Sequence, residues 1–269
     1  MLFLYIMKLI FSIYKKIIKQ KKEVQMNKIS LNYIIDKLKK NEKQLIIFFI
    51  ILFLSVILYS ILIKEQLIND YDGLWHCSYR QAGNWELSLG RWFLYYLDRV
   101  HFCINVEPLS SIMSLGCIAA GMLLILKIFN IESIKKSILI SMLFLSNVVV
   151  CVFLSYRYAS LTYGISFLLS ILSVYVIIKI ENTYTAISIG SLLVALYMGC
   201  YQGQLGCTCI VILAYLMYIL LDKEKTYIDV LKHLLRGITT IILGGVIYIL
   251  LLKIHLLIFN TELASYQRS

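Results

Sequence analysis

The residues best suited to chemistry lie in one short stretch, residues 69–92, which reads NDYDGLWHCSYRQAGNWELSLGRW. Two of its carboxylates, Asp70 and Asp72, closely follow a long apolar run. A carboxylate at a membrane surface can act as a general base toward a hydroxyl group. Two carboxylates together can instead hold a divalent cation against a phosphate. The alternative is a solvated turn, since Asn, Asp and Gly commonly form turns.

The segment that follows, residues 87–100 (LSLGRWFLYYLDRV), predicts a helix lying in a membrane interface. Arg91, Tyr95 and Asp98 recur at helical intervals and form one stripe, with Trp92 beside it. Aromatic side chains favour the head-group level, and a guanidinium can donate two parallel hydrogen bonds to a phosphate. An aromatic anchor without a ligand has the same pattern, so both interpretations stay open.

Other common site patterns do not occur in the sequence. His76 and His101 have no partner at metal-ligand spacing, and the seven cysteines form no metal-binding motif. Neither a Walker motif nor a dinucleotide-binding glycine motif occurs. This pattern disfavours chemistry on nucleotides.

The elements that must position these residues are membrane-spanning helices. The chain is 60% hydrophobic with a mean hydropathy of +0.82, whereas soluble domains are roughly 45–50% apolar. An uninterrupted apolar run, Leu45 to Ile63, is long enough to cross a hydrocarbon core of about 30 Å. We therefore expect an all-α transmembrane bundle of about seven spans. The six further predicted spans are Pro108 to Leu126, Ser137 to Ser155, Tyr158 to Ile178, Tyr184 to Met198, Gly203 to Leu221 and Leu235 to Phe259.

The distribution of positive charge predicts the orientation of the bundle. A lysine-rich segment, 1–44, precedes the transmembrane domain, 45–269, and is expected to be cytoplasmic or interfacial. Lysines also concentrate in alternate connections, which places those connections on the same side. The net charge of +11 thus suits anionic membrane lipids, and we expect no nucleic acid partner. The chain stops at NTELASYQRS soon after the last span, so we expect a domain that is incomplete at its C-terminus.

The remaining connections then emerge together on the extracytoplasmic side. They are the first outer loop, 64–107, the turn SYRYAS that contains Arg157, and the turn GCYQGQ that contains Tyr201 and Gln202. The polar residues of three separate connections are therefore expected to meet on one face.

These residues resemble those of a known family. The acidic cluster after the first span, the run AGNWELSLGRW and the later YQ pair are similar to those of the type II O-antigen glucosyltransferases. These are bacterial integral-membrane proteins whose architecture is similar to that of GT-C glycosyltransferases. The resemblance extends from about Leu45 to the end of the chain, which would correspond to the N-terminal portion of a member.

The resemblance implies a reaction at the plasma membrane. A hexose, typically glucose, would pass from an undecaprenyl-phosphate donor to a hydroxyl of a surface polysaccharide or related glycan, on the outer side. Asp72 is the first choice for the catalytic carboxylate and Asp70 the second, with Mg²⁺ or Mn²⁺ as a possible cofactor. The expected binding residues are Arg91, Arg80 and Arg157 toward the lipid phosphate, with Trp92, Tyr201 and Gln202 lining the cavity.

Two other functions remain open from the sequence. A transporter or lipid flippase would place ionisable residues near the middle of the membrane. The predicted spans carry almost none, and Lys253 and His255 lie near the outer end of the last span. A non-catalytic assembly subunit is the second alternative, and substitution of Asp72 would distinguish it from an enzyme.

Overall fold

The computed structural model describes residues 42–65, 79–100, 102–104, 106–222 and 225–264. Within these ranges the chain is helical, and residues 46–269 form one compact unit. An isolated antiparallel bridge joins Tyr79 to Ile104. The helices are α1 (Glu42–Leu58), α2 (Ser60–Lys64), α3 (Asn84–Ser88), α4 (Leu94–Val100), α5 (Leu109–Ile128), α6 (Ile134–Leu145), α7 (Val148–Ser155), α8 (Ser160–Lys179), α9 (Thr183–Cys200), α10 (Gln204–Leu220) and α11 (Tyr227–Ile258).

Four helical segments are long and apolar enough to cross a membrane: α5, α8 with its preceding turn, α9 and α11. They coincide with four of the predicted spans, which confirms an all-helical membrane protein. The other three predicted spans are not single helices of that length in the described chain. The first is interrupted at Tyr59 between α1 and α2. α10 is continuous and its ends lie within one residue of the predicted span, but its 17 residues make it a shorter apolar helix.

The third predicted span is a bent pair of helices instead of one straight helix. α6 and α7 meet at an angle of 61° at Ser146–Asn147. The Asn147 side chain accepts a hydrogen bond of 2.9 Å from the Val149 N–H, so it caps a new helix inside the apolar run. A hydropathy profile does not reveal this cap, because the residues on both sides of it are apolar and read as one span.

The last span begins earlier than its apolar residues predict. Thr226 and Asp229 form a reciprocal capping box, so α11 starts at Tyr227 instead of Leu235. Its 32 residues extend over about 48 Å, which exceeds a hydrocarbon core of about 30 Å. The first turns of α11 therefore reach beyond the apolar part of the helix.

Small residues allow the central helices to approach closely. Ser114 of α5 donates a hydrogen bond of 2.6 Å to the Ser160 carbonyl at the start of α8. A methyl group added to Gly164 would lie 2.8 Å from the Ser114 carbonyl oxygen. In α11, a methyl group on Gly244 would lie 2.9 Å from the Ser191 carbonyl oxygen of α9. Such backbone contacts hold helices together where lipid removes the hydrophobic drive for association.

The predicted interfacial helix over residues 87–100 is two short helices with a turn between them. α3 ends at Ser88, Gly90 has a left-handed φ of 84°, and α4 begins at Leu94. The predicted stripe is therefore broken. Asp98 is only 2% exposed and accepts a hydrogen bond of 2.7 Å from the Ala82 N–H, so it stabilises the loop instead of facing the interface.

Candidate functional site

Three connections that are remote in sequence meet at one end of the bundle. The Arg80 guanidinium carbon lies 4.3 Å from the centre of the Tyr158 ring, beside the start of α8. The Arg91 guanidinium carbon lies 5.5 Å from the centre of the Tyr201 ring, between α9 and α10. These contacts confirm the prediction that the first loop and the two later turns converge.

A tyrosine inside α8 joins the two arginines into one cluster. The Tyr163 ring lies 5.0 Å from the Tyr201 ring, and the charges of both Arg91 and Arg80 act on its hydroxyl. We call Arg80, Arg91, Tyr158, Tyr163 and Tyr201 the arginine–tyrosine cluster. Sequence reasoning missed Tyr163 because it lies within an apolar span. Its spacing from Tyr156, two helical turns earlier, is the only signal that could have found it.

Arg80 is balanced by a carboxylate within its own loop. Its Nη2 lies 2.9 Å from Glu86 Oε1, and the Gly83 N–H donates a hydrogen bond of 2.8 Å to Glu86 Oε2. Burial by itself would raise the pKa of the Glu86 carboxyl, but these hydrogen bonds and the Arg80 charge outweigh it. The pKa of Glu86 is therefore held below its usual value, and the pair remains ionised at neutral pH.

Arg91 lacks such a partner among the residues that the structure describes. Its backbone N–H donates a hydrogen bond of 2.9 Å to the Glu86 carbonyl, which fixes the main chain. Its Nε is buried without a hydrogen-bond partner, and no carboxylate in the described ranges forms an ion pair with its side chain. A half-buried guanidinium in this state is suited to binding an anion.

The turn that carries Arg91 is held by one side chain from the connection between α9 and α10 and one from α11. Gln202 Nε2 donates hydrogen bonds of 2.9 Å to the Leu89 carbonyl and 3.1 Å to Tyr248 Oη. Tyr248 Oη in turn donates a hydrogen bond of 3.0 Å to the Gly90 carbonyl. Gln202 therefore contacts the Arg91 turn directly. The sequence offers no signal for Tyr248, which lies in the middle of an apolar helix.

A small apolar depression adjoins Arg91. Its walls include Leu87, Trp92, Tyr95 and Phe259, with Arg91 among them. Trp92 is buried and stacks on His255, with ring centres 5.0 Å apart. The depression thus offers aromatic and aliphatic surface next to one guanidinium.

The structure gives fewer contacts for the remaining predicted site residues, Arg157, Asp70 and Asp72. Arg157 lies in the short 3-10 turn Arg157–Ala159 and is half-buried between Tyr156 and Tyr158. Asp70 and Asp72 lie outside the described residues, so their roles stay predictions. Within the described ranges, no three His, Cys, Asp or Glu residues lie together as metal ligands would.

Comparison with known proteins agrees with the resemblance found in the sequence. The family model described as glucosyl transferase GtrII matches residues 78–269, which include the whole arginine–tyrosine cluster. The match begins after Asp70 and Asp72. No curated protein and no solved structure shows significant similarity to the chain. Because the family model spans most of its length, the chain belongs to the GtrII glucosyl transferase family.

Proposed function

We propose that this protein transfers a glucosyl group from an undecaprenyl-phosphate-linked donor to a hydroxyl of a cell-surface polysaccharide or related glycan, on the extracytoplasmic face. Family membership supports glucosyl transfer itself. The observation that carries the choice of donor is the Arg91 side chain, whose Nε is buried and unbonded beside an apolar depression.

A polyprenyl-phosphate sugar has three chemically distinct parts, and the site offers a surface for two of them. The phosphate requires a cation, and the Arg91 guanidinium supplies one with which no described carboxylate forms an ion pair. The isoprenoid requires apolar surface, and Leu87, Tyr95 and Phe259 supply it beside Arg91. A nucleotide-sugar donor would instead call for a nucleotide-binding motif, which the sequence lacks.

The reaction that fits these groups is a single displacement. Asp72, or Asp70, removes the proton from the acceptor hydroxyl, whose oxygen then attacks the anomeric carbon. The bond from that carbon to the phosphate oxygen breaks, and the lipid phosphate leaves with the bonding electrons. Arg91 stabilises the negative charge that this step leaves on the phosphate. If Mg²⁺ or Mn²⁺ takes part, the two aspartates would hold it and it would neutralise phosphate charge.

The two ends of α8 support the proposed extracytoplasmic face. α8 begins at the arginine–tyrosine cluster and ends at Lys179, whose Nζ donates a hydrogen bond of 2.8 Å to Asn130 Oδ1. The connections 127–136 and 179–183 therefore meet at the end opposite the cluster, and both carry lysines. Lysine-rich short loops favour the cytoplasmic side, which supports an extracytoplasmic site.

The test is transfer of radiolabelled glucose from undecaprenyl-phosphate-glucose in membranes that contain the protein. Arg91→Gln is expected to lower kcat/KM about 100-fold, because it removes charge-assisted hydrogen bonds to the leaving phosphate. Arg91→Lys should retain part of the activity, since it keeps the charge but loses the paired donors. The matched control is Lys253→Gln, which removes an exposed positive charge of α11 and should leave transfer unchanged.

The same assay separates the two aspartates. Asp72→Asn should abolish transfer while membrane insertion stays normal, and Asp70→Asn should lower it less. Unchanged transfer in both variants would remove these carboxylates from the mechanism. Absence of transfer by the wild-type protein would contradict the proposed donor and favour a transporter or an assembly subunit.

A further inference from the structure

Beneath the arginine–tyrosine cluster lies a buried amide with no hydrogen-bond partner. Gln204 is the first residue of α10, and its backbone N–H donates a hydrogen bond of 3.2 Å to the Tyr201 carbonyl. It therefore lies one turn from the ring that Arg91 contacts. Its side chain is 1% exposed, yet neither Oε1 nor Nε2 forms a hydrogen bond.

Two buried hydroxyl groups on neighbouring turns of α9 and α10 are in a similar state. Tyr197 lies one helical turn before Tyr201 on α9, and Thr208 lies one turn after Gln204 on α10. Both residues are 0% exposed, and neither hydroxyl has a hydrogen-bond partner in good geometry, although the two face each other. We call Tyr197, Gln204 and Thr208 the buried polar wedge.

Packing alone does not account for the buried polar wedge. A buried amide or hydroxyl without a partner destabilises the folded state, and nearly all such groups in proteins are hydrogen-bonded. Methionine and valine would fill the spaces of Gln204 and Thr208 without that cost. Polar groups that are costly in the unliganded protein and lie next to a site are characteristic of ligand recognition.

We infer that the buried polar wedge binds the hydroxyl groups of the transferred hexose. A glutamine amide offers one acceptor and two donor hydrogens, and each hydroxyl of the wedge both donates and accepts. Adjacent hydroxyls of a pyranose ring also donate and accept, so they complement this set of groups. The inference rests on the proposed function and names the part of its site that selects the sugar.

Access to the wedge requires a movement of the side chains around it, because Gln204 is almost fully buried. The ring of Tyr201, whose carbonyl accepts the Gln204 N–H, belongs to the part of the arginine–tyrosine cluster nearest to Gln204 in the chain. That ring contacts Arg91 and Tyr163. When the donor phosphate takes over the Arg91 guanidinium, one of these contacts is lost and the ring is freer to move. Phosphate binding and sugar recognition are thereby coupled.

The test pairs transfer kinetics with thermal stability for Gln204→Met and Thr208→Val. Both variants should be as stable as the wild type or more stable, because each replaces an unbonded polar group by an apolar one of similar size. Both should lower kcat/KM for undecaprenyl-phosphate-glucose about 10- to 100-fold. The matched control is Ser141→Ala in α6, which also removes a fully buried and unbonded hydroxyl and should leave transfer unchanged.

Deoxyglucose donors provide the second measurement. At least one of the deoxy isomers should be a poorer donor than glucose for the wild type, and Gln204→Met should no longer distinguish it from glucose. Wild-type kinetics and discrimination in both variants would overturn the inference. If both variants lose transfer activity only in proportion to a loss of folded protein, the inference is also overturned, since the wedge would then have a structural role. If the wild type transfers no glucose, the proposed function fails, and the inference falls with it.

Discussion

At the scale of single residues, the arginines of the site differ in what surrounds them. Arg80 is paired with Glu86 at 2.9 Å, so its charge is balanced before any ligand arrives. The Arg91 guanidinium carbon lies 5.5 Å from the centre of the Tyr201 ring, and none of the described carboxylates forms an ion pair with it. A guanidinium held by a carboxylate gains little from a phosphate. We therefore propose positioning as the role of Arg80 and anion binding as the role of Arg91.

Gly90 determines where Arg91 is placed. Its φ of 84° suits glycine, and a methyl group there would lie 2.4 Å from Tyr248 Oη and 2.7 Å from Gln202 Nε2. Gly90→Ala should lower the free energy of unfolding by about 2 kcal/mol or more and reduce glucosyl transfer, because the turn that carries Arg91 must shift. Thermal unfolding in detergent and the transfer assay measure the two effects.

The control for Gly90→Ala is Gly116→Ala in α5. A methyl group at Gly116 meets no atom within 4 Å, so this change should be neutral or slightly stabilising, as alanine is the better helix former. Equal stability and transfer in the two variants would show that the Gly90 turn does not position Arg91.

At the scale of elements, the two ends of α8 make the contacts that connect this helix to the site and to α11. Its first turn is next to the arginine–tyrosine cluster, and its last carbonyl groups lack partners within the helix. Arg236 of α11 donates a hydrogen bond of 2.9 Å to one of these carbonyl groups, that of Ile177, and another of 2.9 Å to the Glu181 carbonyl in the connection that follows α8. A buried arginine thereby links α11 to the far end of the helix that carries Tyr163.

Replacement of Arg236 tests this link. Arg236→Met should lower the free energy of unfolding by about 2–4 kcal/mol, because it leaves buried carbonyl groups without a charged donor. Arg236→Lys should be intermediate. Thermal unfolding in detergent measures the change. Lys232→Met, at an exposed position one turn earlier on α11, is the control and should alter stability by less than about 0.5 kcal/mol.

The folded fraction of Arg236→Met should keep its transfer activity, since the substitution is far from the cluster. A variant with wild-type stability would contradict the role of Arg236 as a link between α8 and α11.

At the scale of the whole molecule, polarity differs between the two ends of the bundle. One end carries the arginine–tyrosine cluster, and the other carries lysines of the connections 127–136 and 179–183. In a membrane this difference selects one orientation. In the orientation that we propose, it also separates the chemistry from the cytoplasm, where nucleotide sugars are found.

Epitope insertion in spheroplasts tests the orientation. An epitope in the connection 222–226 should bind antibody only after permeabilisation, because we expect this lysine-containing connection to be cytoplasmic. An epitope after Glu262 should bind antibody on intact spheroplasts. Detection of both epitopes without permeabilisation, or the reverse pattern, would contradict the proposed face. Retained glucosyl transfer in each tagged protein is the control for correct insertion.

The helices whose ends the sequence predicts best are α5, α8, α9 and α10. They begin and end within about two residues of their apolar runs, because the length of an apolar segment is a local property that burial in lipid dictates. The convergence of Arg80, Arg91 and Tyr201 also followed from the sequence, since charge decides the side on which each connection emerges. The family resemblance rested on the same motifs.

The hydrogen bonding and burial of the polar side chains followed only from the tertiary structure. The hydrogen bond from Gln202 to Leu89 joins segments that are distant in the chain, whereas the ion pair of Arg80 with Glu86 forms within one loop whose conformation hydropathy does not predict. A hydropathy profile also does not show three helix boundaries, which are set by the caps at Asn147 and Thr226 and by the turn at Gly90. Burial of Gln204 without a partner is likewise a product of packing. The sequence determined the membrane class, the family and the connections that meet at one end of the bundle, because hydropathy and charge act locally, whereas the surroundings of Arg91 and Gln204 were decided only when the helices packed.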